Sequence, residues 1–377
     1  MLNSLTIGGV EKVVVDICNG LDERGHEVYI VSLFEDNFDT QKNINDNIKV
    51  ISLPFRSNSI FNIVKFWLFG LPKITKVING LKPQIVHSHQ YYHYYLFLSL
   101  SFYFSKIKPA HFRTIHTSGL YYNSKSLIDR IRLTAEKIAS KLYPGYLISI
   151  SKEILENNKK YFSRSAIEIR LIPNGIHLNK FSRLNNFDVK KEDYGIYDNK
   201  IIITYVSRLH PGKNHECLIK AWGKVVEVNP AAHLWLVGDG ILKGDLIKMA
   251  EELKIEKSIS FLGVCDDVPK LLSISDIAVF PSQFEGFGLS LIEKMAMQLP
   301  IVASDIAFFK EVIVPDVNGI LYSVNNSQEL TESINQLIKD QFLRERLGKN
   351  AHKTAMTYDI NVIINATIKF YEESLSI

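Results

Sequence analysis

Two cations five residues apart, Arg208 and Lys213, lie in Ser207-Arg208-Leu209-His210-Pro211-Gly212-Lys213, and two acids eight apart, Glu285 and Glu293, lie in a second loop-to-helix segment. An arginine fork and a lysine point charge on one loop can converge on a single diphosphate. Exposed loop cations with no ligand have the same local pattern. Glu285 lies in Phe284-Glu285-Gly286-Phe287-Gly288-Leu289-Ser290, where a helix is predicted to begin near Gly288. Main-chain amides at Phe287, Gly288, Leu289 and Ser290 would then point at an anion. Glu293, about 7 Å further along the axis, would lean back toward the loop. There it could accept from ribose hydroxyls while Glu285 reaches a sugar. Paired acids also fit metal binding or hydrolytic acid–base work. No Asp-x-Asp lies nearby to help hold Mg²⁺.

Other candidates are less specific. Gly8-Gly9 precede Val10-Glu11-Lys12 at a helix start, where a backbone without Cβ lets a ligand come close. His116 ends the run Phe112-Arg113-Thr114-Ile115, at a strand's carboxyl edge. His87, His89 and His93, among Tyr91, Tyr92, Tyr94 and Tyr95, have a spacing that could ligate a metal, but with no carboxylate near they read as acceptor-facing or core. Gly238-Asp239-Gly240 suggests a dinucleotide loop, but position 243 is Lys where a third glycine is required, so NAD is rejected. No G-x-x-x-x-G-K-[ST] occurs.

Alternating strands and helices must position these residues. His26–Leu33, Ile48–Ser52, Ile85–His87, Phe112–Ile115 and Tyr146–Ile150 read as strands, and Glu11–Arg24 as an amphipathic helix. The alternation breaks at Ile172-Pro173-Asn174-Gly175 and a polar stretch to Lys200. It restarts with strands Ile201–Val206, His233–Val237, Ile259–Leu262, Ile277–Phe280 and Ile301–Ser304, and a helix over Asn214–Val228. The fold class is α/β, with two doubly wound parallel-sheet domains. In such sheets ligands sit at the carboxyl ends of strands, and a cleft between two domains is the default site. The predicted domains are 1–178, 179–357 and a helical tail, 358–377, packing back on the first domain.

At 377 residues the chain is long enough for two domains, and its 46% hydrophobic and 22% charged residues exclude a disordered, collagenous or coiled-coil protein. Cys18, Cys217 and Cys265 are odd in number and far apart, which disfavours a disulfide framework or structural zinc and suits a reducing compartment. No signal-peptide pattern is read at the start. Tyr94–Phe104, 11 residues, is short of the ~20 needed to span a bilayer. The net charge of +4 hides an asymmetry: residues 49–170 hold 19 Lys and Arg against 5 acids, so the remainder is net acidic. A basic region beside an acidic one suits an anionic partner at one domain only; solvated helix faces would give the same count.

Together these segments resemble the retaining glycosyltransferases of family 4, which have the GT-B fold. The resemblance rests on GGVEKVV at Gly8–Val14, RGHEV at Arg24–Val28, TIHT at Thr114–Thr117, IPNGI at Ile172–Ile176, SRLHPGKNH at Ser207–His215, LVGDG at Leu236–Gly240, FLG at Phe261–Gly263, E-x7-E from Glu285 to Glu293, IVASD at Ile301–Asp305 and NGILY at Asn318–Tyr322. It implies that Arg208 and Lys213 hold the diphosphate of a nucleotide-sugar donor. It implies that Glu293 binds the ribose, that Glu285 lies near the donor sugar, and that the main chain at Phe287–Ser290 approaches phosphate and sugar. His116 would contact the sugar near the reaction centre, Gly8 and Gly9 would close over donor and acceptor, and Val264 would line the base pocket. His116, Glu285, Arg208 and Lys213 are thus the catalytic candidates. No metal and no cofactor are implied.

The resemblance further implies transfer of a sugar to a hydroxyl of a polysaccharide or lipid-linked saccharide, in cell-surface glycan synthesis. Retention would follow from same-face attack, without a covalent carboxylate nucleophile. UDP is preferred on family frequency. The expected location is cytoplasmic, with the basic first domain docking at the anionic cytoplasmic face of a membrane, and no nucleic-acid partner. A nucleotide-sugar-binding module without turnover, or another GT-B enzyme such as a sugar-nucleotide epimerase, is the alternative; the intact charged set argues against both. Two departures stand out. Ile306-Ala307-Phe308-Phe309 replaces the glycine-rich pair usual after IVASD, and only Met1–Ile7 precedes Gly8, too little for a central first strand. The expectation is a true start upstream of Met1.

Overall fold

The computed structural model describes residues 1, 2, 5, 9–34, 43–55, 60–89, 92–116, 126–185, 187–197 and 200–375, with backbone alone at 60–65, 67 and 92–94. These residues form two compact units, 1–175 with 360–377, and 176–359.

The first unit runs α1 (Gly9–Asp22), β1 (Tyr29–Ser32), β2 (Lys49–Ser52), α2 (Ile60–Leu81), β3 (Ile85–Ser88), α3 (Tyr92–Phe104), β4 (Ala110–Ile115), α4 (Leu127–Leu142), β5 (Tyr146–Ser149), α5 (Lys152–Phe162) and β6 (Glu168–Leu171). β1 and β2 pair in parallel, and β3-β4-β5-β6 form a separate parallel sheet. Leu2 makes isolated parallel bridges to Ser32 and His89. β6 was not read from sequence. Its Glu168 and Arg170 hydrogen-bond each other at 2.6 and 2.9 Å on a half-buried edge, so no apolar run marks it. α5 starts where Ser151 accepts from the Ile154 amide and ends on Lys159 and Lys160, both favourable to the helix dipole.

The second unit runs β7 (Ile201–Val206), α6 (His215–Val228), β8 (Ala232–Val237), α7 (Lys243–Glu252), β9 (Ile259–Gly263), α8 (Val268–Ser273), β10 (Ile277–Phe280), α9 (Leu289–Ala296), β11 (Ile301–Ser304), α10 (Ala307–Val312), β12 (Ile320–Tyr322), α11 (Ser327–Lys339) and α12 (Gln341–Ala355). The sheet order is β12-β11-β10-β7-β8-β9, all parallel. β8, β10 and β11 are buried along their whole length, which is why they read as continuous apolar runs. Trp222 of α6 and Trp235 of β8 are fully buried in this core. β12, three residues at the sheet edge, was too short to read as a strand.

The chain then returns to the first unit as α13 (Ile360–Leu375). Ile363, Phe370 and Tyr371 join Phe112, Tyr146 and Ile148 in one cluster. Arg24 of the α1–β1 turn donates to Asn365 and Asn361 at 3.0 and 3.1 Å. A Cβ on Gly20 would overlap Ile364, so that glycine is set by the close approach of α1 and α13.

Candidate functional site

In the second unit, strands β7, β8 and β9 lie to one side and β10, β11 and β12 to the other, so the chain reverses direction between β7 and β10. Crevices form at the carboxyl ends of strands at such a point. Arg208 and Lys213 follow β7, and Glu285 follows β10. The two loops are joined to each other. The Gln283 amide donates to the Gly212 carbonyl at 3.0 Å, and Lys213 Nζ donates to Glu285 Oε1 at 2.5 Å. A Cβ on Gly212 would come 2.7 Å from the Phe284 ring, so the two loops pack closely there.

Sequence reading missed the groups that hold this pair. Ser282 Oγ donates to Glu285 Oε1 at 2.9 Å, and Tyr205 OH donates to the Lys213 carbonyl at 3.0 Å while standing 3.1 Å from Ser282 Oγ. Burial raises the Tyr205 pKa, so its hydroxyl remains a donor. A polar ring inside an apolar strand was the available signal for Tyr205. His215 Nε2 lies 3.1 Å from Ser207 Oγ, and burial, helped by the Lys213 charge, lowers the imidazole to about 4. Lys213 and Glu285 retain 29% and 15% of their side-chain exposure, enough for an incoming anion to compete for the lysine. Arg208 is exposed and forms no ion pair among the described residues.

The loops after β8 and β9 complete this edge. Gly238, at φ +130°, and Gly240 would carry Cβ atoms that overlap the carbonyls of Ser207 and Leu209. In return Leu209 N donates to Asp239 O at 2.9 Å, and Leu242 N to Leu209 O at 3.2 Å. Gly238-Asp239-Gly240 therefore serves loop packing around Arg208. Val264, just past β9, is 76% exposed.

Gly288 caps α9, and Glu293 is the helix's fifth residue, half-buried. The Phe287 ring packs on Phe308 and Tyr358, with centroids 4.9 and 5.8 Å away, so its side chain is engaged in packing. A Cβ on Gly288 would lie 3.1 Å from Phe308 and 3.5 Å from Phe309. The aromatic pair in Ile306–Phe309 thus supports this loop. Ser290 Oγ donates to Val206 O at 3.2 Å, and the fully buried Lys294 donates to Ser290 Oγ at 2.6 Å. Lys294 was also missed, because a lysine in a helix ordinarily reads as a solvated residue.

His116 and Gly9 belong to the first unit. His116 Nε2 is 2.9 Å from His89 Nδ1, and burial lowers His116 to about 4. His87 Nδ1 is 2.6 Å from Tyr371 OH, and its Nε2 2.7 Å from Thr114 Oγ1. His87 and His89 are thus built into a hydrogen-bonded strand-end cluster. A Cβ on Gly9 would meet nothing within 4 Å, so internal packing does not require glycine there. Gly8, Thr117 and Tyr91, and the side chains of Tyr92, His93 and Tyr94, lie outside the described residues. Among the described residues no group of three or more His, Cys, Asp or Glu could hold a metal ion, and no helix is long and apolar enough to cross a membrane.

Comparison with known proteins bears on the family and the fold. Residues 7–180 match the family described as Glycosyltransferase Family 4, and residues 186–354 match Glycosyl transferases group 1. The chain is 26% identical over 358 residues to N-acetyl-alpha-D-glucosaminyl L-malate synthase of Bacillus anthracis, covering 93% of this chain and 89% of the relative. It is 26% identical over 310 residues to UDP-Gal:alpha-D-GlcNAc-diphosphoundecaprenol alpha-1,3-galactosyltransferase of Escherichia coli, covering 80% and 77%. The crystal structure of Anabaena Alr3699/HepE in complex with UDP and glucose superposes with a TM-score of 0.81 at 22% identity, over 99% of this chain and 98% of that one.

Proposed function

The chain belongs to glycosyltransferase family 4 and has the GT-B fold, and from that premise we propose that it is a retaining enzyme moving a sugar from a UDP-sugar to a hydroxyl of a saccharide or lipid-linked saccharide in cell-surface glycan synthesis. The observation that carries this reading is the convergence of the Arg208, Lys213 and Glu285 loops at the switch point between β7 and β10. Arg208 and Lys213 hold the diphosphate, with amides at Phe287–Ser290 beside it. Glu293 accepts from the ribose, Glu285 faces the sugar, and Val264 covers the base. The acceptor hydroxyl attacks the anomeric carbon on the face the diphosphate leaves. The carbon–oxygen bond to phosphate breaks, and the hydroxyl proton passes to the departing phosphate oxygen. His116 contacts the sugar near that centre, and Gly8 and Gly9 close over donor and acceptor. No metal or cofactor enters this scheme. The UDP and lipid-linked substrates in the names of similar proteins support the choice of substrates.

A thermal-shift panel of UDP, GDP, ADP and their sugars tests the site. A ligand at one hundred times Kd stabilises by about 2.7 kcal/mol. The uridine compounds are expected to shift the melt most, and Lys213→Ala and Glu293→Ala to reduce that shift. Shifts unchanged in both variants would place the nucleotide elsewhere. Product of inverted anomeric configuration, read by NMR, would refute retention.

We also propose docking of the first unit at the anionic cytoplasmic face of a membrane. α4 exposes Leu127, Ile128, Ile131 and Ile138, with Arg130 and Lys141 exposed on the same helix. Apolar and basic side chains together suit an anionic lipid interface. Vesicles with phosphatidylserine should sediment the protein and neutral vesicles should not; equal sedimentation would refute the electrostatic part.

A further inference from the structure

His87 and His89 have no part in the proposed reaction, yet one of them touches His116. β3 and β4 are neighbours, with His87 opposite Phe112 and Ser88 opposite Arg113. His87 and His89 stand two positions apart at the end of β3, and Thr114 and His116 two apart at the end of β4, so each pair shares a face of the sheet. Two hydrogen bonds cross between the pairs, each joining residues 27 positions apart. His87 Nε2 meets Thr114 Oγ1 at 2.7 Å, and His89 Nδ1 meets His116 Nε2 at 2.9 Å. The His87 and His89 rings lie against each other, with centroids 4.1 Å apart and planes tilted by 37°.

The two crossings differ in what they leave over. His87 is used at both ring nitrogens, since its Nδ1 is 2.6 Å from Tyr371 OH of α13, and it forms a fixed backing for His89. The outer crossing uses one nitrogen of each ring. Burial lowers both imidazoles, so both are neutral near pH 7 and each carries one N–H. A 2.9 Å gap between two nitrogens holds one hydrogen. Two hydrogens would clash, and none would set lone pair against lone pair. If His89 Nδ1 carries it, His116 must be protonated at Nδ1. If His116 Nε2 carries it, His89 must be protonated at Nε2. The two rings are therefore always the same tautomer, and His116 Nδ1 is a donor in the first case and an acceptor in the second.

We propose that His89 is a positioning residue for His116: it holds that ring in place, and its tautomer dictates whether His116 Nδ1 offers a hydrogen or a lone pair to a sugar hydroxyl. This rests on the reading of His116 as the sugar-facing histidine.

Two measurements test it on the full chain. With ¹⁵N-labelled histidine, long-range ¹H–¹⁵N spectra read which nitrogen of each ring is protonated, and single substitutions assign the signals. His89 and His116 should show the same tautomer; different tautomers would overturn the pairing. Calorimetric titration tests the role, with UDP-glucose and UDP-N-acetylglucosamine as probes and UDP as the sugar-free control. The ratio of the UDP Kd to the UDP-sugar Kd isolates the sugar. His89→Leu should cut that ratio about fivefold, the scale of one net hydrogen bond, and leave the Kd for UDP unchanged. Asparagine can place an amide atom where Nδ1 stands, whereas glutamine reaches the Nε2 place. His89→Asn should therefore restore most of the ratio and His89→Gln should not. In a His116→Ala background His89→Leu should change nothing further. An equal cut with and without His116, or equal ratios in the asparagine and leucine chains, would overturn the proposal. An unchanged ratio in His116→Ala would defeat the reading of His116 itself. A cut in His116→Ala with none in His89→Leu would leave that reading and overturn this inference alone. Should His89→Leu fail to fold, the asparagine and glutamine chains give the same comparison.

Discussion

Among the described residues, the second unit carries its candidate residues on one unbroken six-stranded sheet, whereas the first unit's strands fall into a pair and a set of four bridged by Leu2. The two strand-end edges also differ in charge state. In the second unit Lys213 and Glu285 meet as ions with part of each exposed. In the first, burial depresses His87, His89 and His116, so the carboxyl edge of β3 and β4 is polar and neutral near pH 7. An ionic edge is what a diphosphate requires, and a neutral hydrogen-bonding edge is compatible with sugar hydroxyls. The contrast teaches that one architecture can present two chemistries, depending on whether its polar groups are left partly wet or buried in mutual contact.

The sharpest way to separate the units is through the buried pair Arg113–Glu136, 2.5 Å apart with both side chains at most 3% exposed. Glu136→Ala leaves the arginine buried without its carboxylate and should cost about 3–5 kcal/mol. Peptide-resolved hydrogen exchange should show β4 and α4 losing protection while the second unit keeps its own. Equal loss in both would end the comparison. Lys213→Ala should do the opposite. Transfer kcat/KM should fall by about 10²–10³-fold, the scale for losing one preorganised cationic or hydrogen-bonding group. The melt should move little, since the pair is partly exposed. Full activity in that variant would remove the second unit's edge from the chemistry.

The smallest effect is in pH. A histidine held at about 4 in the folded chain takes up a proton more readily when unfolded, near its ordinary 6.5. The unfolded state therefore binds more protons between those values. Stability is fully present above about 6.5 and is lost as pH falls toward 4. His111, at about 3, extends the loss lower. Among the described residues the second unit has two such groups, His215 and His233, both at about 4, against four in the first. Exchange protection should therefore fail in the first unit at a higher pH than in the second. The reverse order would show that the histidine cluster does not set acid sensitivity.

Much of the second unit was legible because its central strands are buried on both faces and its charged residues follow them directly. β10 and β11 occur at the limits read from the apolar runs. The edge strands β6 and β12 were not legible, because half-exposed edges tolerate Glu168 and Arg170 or shrink to three residues. In the candidate site, Arg208, Lys213, Glu285 and Glu293 announce themselves by charge and spacing. Tyr205 and Ser282 do not, because their contact spans 77 positions, and Lys294, four positions from its partner Ser290, has the pattern of a solvated helix lysine. A residue that positions another through space leaves no local pattern.

The return of α13 to the first unit has a consequence for how the protein is made. Tyr371 reaches His87 across 284 positions, and Phe370 and Tyr371 sit among the aromatic rings of β4 and β5. A ribosome adding about 5–20 residues per second needs about 10–40 s to go from the end of the first segment to the last helix. During that interval the nascent first half waits with its aromatic cluster incomplete, while the second half emerges with every strand of its sheet. The order of translation and the order of completion are therefore reversed.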